Sequence, residues 1–264
     1  MNDASHIREV ADLMRLFQPK PPIDREEYDW LLACFAWLRR VLDDAHIRPE
    51  LVTPDHSALA SAKTASELFE AVRGLAGMEN WPCRLELVET RQENERLFLE
   101  EEGGACGTFS IENGEAVIRY NSAMLRNPDA LAGTFAHELC HYLLADAGDP
   151  PGGSDLMEHS TDCAAAYLGF GVLLANSARQ FEQWSDGGWH GWRSSTAGYL
   201  SEQALVTATA MFASLHGHDL SEAESSLKPY LRKDLKKAAK AIRHDHSDLA
   251  RSIDSLDLTD WNFA

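Results

Sequence analysis

Two neighbouring stretches of this chain leave little polar surface on any side: DALAGTFAHELCHYLLAD from Asp129, and the 13-residue run from Cys163 to Ala175. Helical segments that are apolar nearly all round belong in an interior, so the rest of the fold has to be arranged around them. Asn127-Pro128 supplies a cap and first-turn pair for the first helix. Gly, Pro and Asp dominate 146–155, which reads as a loop bringing the first helix face to face with a second, expected over Glu158 to Ala175 and ending near Asn176.

The flanking sequence is patterned differently on each side. After the Pro-rich PKPPIDR, the segment EEYDWLLACFAWLRRVLDD carries a wide apolar stripe bounded by charges, the signature of a helix. A further helix is expected to start at Thr64 or Ser66, run through ELFEAVRGL and stop near Gly74 or Gly77. CRLELVE, ACGTFSI and EAVIRYN are short and roughly alternating, with Asn113-Gly114 between the last two, a strong hairpin signal. They predict a small antiparallel sheet over 82–121, with the charged stretch Glu89 to Glu102 as a loop or another strand. Three tryptophans among glycines and serines mark 184–198 as an ordered loop, and helices over about 200–216 and 221–250 complete the chain. The expected fold is α+β and mostly helical, with a helical region over 1–79, a core over 80–183, and the Trp-rich loop and closing helices over 184–264.

Composition narrows the function. The 264 residues carry a formal charge of -18, which disfavours nucleic acid, because phosphate binding needs a dense Lys/Arg surface. Lys228 to Arg243 is basic, but Leu231, Leu235, Ala238 and Ile242 recur at helical spacing, so a solvated helix face is expected. No apolar run reaches about 18 residues, so no membrane span is expected. The amino terminus lacks the pattern of a signal peptide, and the five cysteines (Cys34, Cys83, Cys106, Cys140, Cys163) are odd in number and sit in apolar surroundings. Reduced core thiols in a cytoplasmic protein are the expectation.

The chemistry concentrates in His137-Glu138-Leu139-Cys140-His141. Four-residue spacing on a helix places both imidazoles on one face with Cβ atoms about 5–6 Å apart, which suits one zinc ion. Glu138 adjoins the first histidine, where it can accept a proton from a water without occupying a ligand position. Two histidines can flank a glutamate on a helix by chance, but buried paired histidines need a reason. A third ligand is required, and Glu158 falls 17 residues after His141 at the start of the next helix. Asp162, one turn later, can accept the free ring N–H of a ligating histidine.

HELCH followed by EHSTD resembles the gluzincin metallopeptidases, and DCAAAYLGFG after it looks most like their compact minigluzincin and CAAX-prenyl-protease-like branch. The resemblance covers roughly 80–180 and implies zinc ligands His137, His141 and Glu158, a catalytic Glu138, and Asp162 behind them. It also implies an edge strand beside the active-site helix that pairs with the substrate backbone. The helical stretches before 78 and after 200 have no counterpart in that pattern.

Competing ligands are His159, which points about 100° away from Glu158 on a helix, and Asp155. Cys140 is rotated off the histidine face and reads as a packed thiol, as does Cys163. Donors to a developing oxyanion are sought in Tyr199, His190 and Arg193, in that order, and Trp184, Trp189 and Trp192 are core plugs or a cleft wall. The expected function is zinc-dependent hydrolysis of peptide bonds in a protein or peptide substrate. The alternatives are a zinc-binding sensor or scaffold without efficient turnover, and a peptide deformylase using Cys106 as third ligand, whose other motifs are missing.

Overall fold

A computed structural model describes residues 18–42, 49–88, 107–182 and 199–261. Helix α1 (Arg25–Val41) is capped by the Asp24 side chain, which accepts from Glu27 N, with acidic residues in its first turn and Arg39 and Arg40 in its last. Every residue from Trp30 to Leu38, about two and a half turns, is buried. The short α2 (Ser57–Ser61) precedes α3 (Ala65–Leu75), where Thr64 and Glu67 form a reciprocal capping box. The choice between Thr64 and Ser66 thus falls to Thr64.

Strands β1 (Cys83–Val88), β2 (Gly107–Glu112) and β3 (Glu115–Asn121) form one sheet in the order β1-β3-β2. Asn113 and Gly114 both have positive φ, as a two-residue hairpin turn requires, and β2 pairs with β3 antiparallel. The expectation of an all-antiparallel sheet is corrected: β1 pairs with β3 in parallel, Cys83 beside Ala116 through Val88 beside Asn121. Side-chain alternation is identical for either strand direction. Direction is set by the long connection from β1, and a parallel partner needs about a dozen intervening residues, which 89–114 provides.

A 3₁₀ turn (Ser122–Arg126) leads into α4 (Pro128–Leu144), capped by Asn127 and opened by Pro128 as the sequence suggests. Every residue from Ala130 to Cys140 is buried, and exposure starts at His141. The following loop is tied at two points: the Trp30 indole donates to Pro151 O at 2.8 Å, and Gly152 N donates to Trp261 O at 2.9 Å. Next comes α5 (Met157–Ala165), a π turn (Ala166–Phe170), and α6 (Gly171–Glu182). The single long helix expected from Glu158 is therefore broken at Gly169. That residue has φ +99, its carbonyl accepts from Val52 N, and an added Cβ would lie 2.0 Å from Glu50 O, so the 49–53 segment fits only because no side chain is there.

Helix α7 (Glu202–His216) packs on α6, and α8 (Leu220–Ser226), α9 (Arg232–Asp245) and α10 (Leu249–Asp254) follow. The continuous helix expected over 221–250 is divided: Leu227 leaves helical geometry two residues before Pro229, and Asp248 caps a fresh start. On α9, Leu235, Ala238 and Ile242 are buried while Lys233, Lys236, Lys237, Lys240 and Arg243 face solvent. One apolar cluster runs from Tyr28 to Ile253, so the helices at both ends of the chain pack on the core that holds α4 and α5. No helix among the described residues is long and apolar enough to cross a membrane.

Candidate metal centre

The last two turns of α4 lie against the first two turns of α5. There the Nε2 atoms of His137 and His141 lie 3.1 Å apart, and Glu158 Oε2 lies 3.4 Å from the first and 3.3 Å from the second. Ligands held 2.0–2.1 Å from a tetrahedral metal are about 3.3–3.4 Å from each other, so the three atoms match one face of such a site. Among the described residues these three form a group able to hold a metal ion.

The far side of each imidazole is occupied. His137 Nδ1 lies 2.8 Å from Asp162 Oδ1, and His141 Nδ1 lies 3.4 Å from Thr161 Oγ1, whose hydroxyl donates to Met157 O. Acceptors at both Nδ1 atoms select the tautomer with Nδ1–H, which turns the two Nε2 lone pairs and a carboxylate oxygen onto one point. Three converging acceptors suit a cation.

Electrostatics follow the same logic. Where no cation is bound, protons on Nε2 take its place: burial opposes charge on His137, but the Asp162 and Glu158 carboxylates outweigh it and raise its pKa well above the usual value. Burial also acts against a charged Glu158, yet its hydrogen bonds to His137 and His141 and their charge win, holding the carboxyl far below the ordinary range. Glu138 moves the other way: burial raises it, the imidazoles oppose, and the Glu158 and Asp162 charges add to the rise. The site therefore holds one carboxylate firmly ionised and keeps its neighbour avid for a proton.

Strand β2 starts directly against Glu138. A Cβ on Gly107 would stand 2.5 Å from Thr134 Cγ2 and 3.1 Å from Glu138 Oε1, so only glycine admits the strand this close. Two residues on, the Phe109 ring stacks near His141 at 6.4 Å and on Tyr142 at 5.6 Å, and Trp81 meets Tyr142 edge-on. The other edge of β2 is unpaired among the described strands.

Of the oxyanion candidates, Tyr199 lies beside the group, its ring centroid 5.3 Å from that of His137. The amide of the next residue, Leu200, donates to Asp162 Oδ2 at 2.9 Å. His190, Arg193 and the tryptophans Trp184, Trp189 and Trp192 lie outside the described residues, as do Cys106 and the 89–102 stretch. His159 is buried with its ring edge-on to Trp30, and neither it nor Asp155 joins the group. Cys140 is buried, with its thiol pushed up by burial, and Cys163 is likewise buried against Cys34.

Sequence reasoning missed three contributors. Gly107 carried a usable signal, since a glycine inside a strand marks a close backbone approach. Thr161, behind His141, and Trp30, which braces the loop between the ligand helices from 121 residues away, carried none. Comparison with protein-family models, with curated proteins and with solved structures finds no match for this chain.

Proposed function

We infer that this protein is a zinc-dependent metallopeptidase that hydrolyses peptide bonds of a particular protein or peptide substrate. The observation that carries the reading is the triangle of His137 Nε2, His141 Nε2 and Glu158 Oε2, with Glu138 buried next to it and both Nδ1 atoms anchored. Two imidazoles and one carboxylate, with a position left open, form a donor set suited to catalytic zinc. Zinc, when bound, supplies Lewis acidity and lowers the pKa of a water towards about 7.

The chain's own groups do the remainder. Glu138 takes no place in the ligand triangle, and its raised proton affinity suits a base that receives a proton and returns it to the leaving amine. Asp162 and Thr161 hold the imidazoles in one tautomer. Tyr199, against His137, is the proposed donor to the developing oxyanion, with His190 a second candidate. The unpaired edge of β2, brought against Glu138 by Gly107, is the proposed seat for an extended substrate backbone.

The test pairs metal content with turnover. One zinc per chain is expected in wild type and in Glu138→Gln, with cleavage of a peptide library lost only in the variant. Glu158→Ala is expected to lose both. A chain that takes up no zinc on reconstitution would refute the site; zinc without Glu138-dependent cleavage would leave a zinc-binding sensor or scaffold.

A further inference from the structure

The Asp162 carboxylate is divided between two elements. Its Oδ1 faces His137 Nδ1 at 2.8 Å, and its Oδ2 accepts from the backbone amide of Leu200 at 2.9 Å. The carboxylate is almost wholly buried, at 5% side-chain exposure. Leu200 is also buried; it follows Tyr199, whose ring rests on His137, and precedes Ser201, the cap of α7. A closed circuit results: His137 to Asp162, Asp162 to Leu200, and Tyr199 back to His137.

The first half of that circuit orients a ligand; the second supplies no ligand atom of its own. The geometry points to Asp162 as a positioning residue that couples zinc occupancy to the placement of the Tyr199–Leu200 segment. This rests on the zinc reading above and adds a linkage to it. A cation on His137 Nε2 draws electron density from the ring, makes Nδ1–H a stronger donor and fixes the carboxylate rotamer. A carboxylate fixed in this way is a better-placed acceptor for Leu200 N–H. Linkage is reciprocal: whatever draws the 199–200 segment away from Asp162 weakens zinc by the same factor that zinc strengthens the segment's hold.

The experiment uses the full chain, zinc ions as the probe, and amide exchange at Leu200 read with and without saturating zinc. A chelator competition measures zinc affinity in parallel. In wild type, zinc is expected to slow Leu200 exchange at least tenfold. In Asp162→Asn, zinc is expected to bind about 10–100-fold more weakly and, once saturating, to change Leu200 exchange less than twofold. Thr161→Val, which removes the His141 contact and leaves Asp162 in place, should weaken zinc yet keep the tenfold protection when saturated. The wild-type comparison stands even if Asp162→Asn does not fold. Zinc bound in wild type with Leu200 exchange unchanged overturns the coupling alone; no zinc bound at all overturns the metal reading and the coupling with it.

Discussion

Glu27 offers a sharp test of the packing around α1. It sits in the first turn of that helix, only 6% exposed, and burial followed by the charge of Asp24 pushes its carboxyl up from 4.5 to about 7. Each tenfold change in proton affinity is worth about 1.4 kcal/mol, so ionising Glu27 costs the folded state about 3 kcal/mol. The helix N-terminus favours a negative charge by about 0.5–1 kcal/mol, which leaves about 2–3 kcal/mol. The folded pKa lies above the unfolded one, so the folded state holds the proton more tightly. The cost is absent below about pH 4.5, grows between 4.5 and 7, and is complete above 7. Glu27→Gln, which keeps size and helix propensity but cannot ionise, should therefore match wild type at pH 4.5 and exceed it by about 2–3 kcal/mol at pH 8. For a chain of this length that is a rise of roughly 5–10 °C in Tm. Urea melts at both pH values, with both proteins at the same metal loading, provide the measurement. Equal stability of the two proteins at pH 8, or a gain as large at pH 4.5, would refute the argument.

Two further outcomes probe the frame of the candidate site. Gly107→Ala forces a Cβ into Thr134 and Glu138 and should cost about 1–3 kcal/mol in a thermal melt, while retaining zinc by elemental analysis and losing peptide cleavage. Trp30→Phe removes the donor to Pro151 O and should cost about 1–3 kcal/mol, with faster zinc release to a chelator because the loop between α4 and α5 is loosened; an unchanged release rate would separate the loop from the site.

The local features were legible because they depend on near neighbours. Asn127-Pro128, the Asn113-Gly114 turn and the Thr64 box are set by backbone geometry within four residues, and the sequence displays them directly. The same range covers His137 and His141, one helical turn apart on α4. Glu158 and Asp162 could be named because their helix starts a short loop later, and the packing of α5 against α4 brings them to His137 and His141.

Other features involve partners that pattern alone does not specify. The sheet reads the same in either strand direction, and the parallel β1–β3 pair emerged only from tertiary packing. The break at Gly169 answers to Glu50 and Val52, far away in sequence, so an apolar run that reads as one helix becomes two. Leu200, with no side-chain signal at all, meets Asp162 through its amide. The sequence alone determined which groups could share a metal, since donor chemistry and helical spacing are local. The tertiary structure decided which backbone amides, tryptophans and glycines hold those groups in place, since such contacts arise between segments that meet only when the chain is packed.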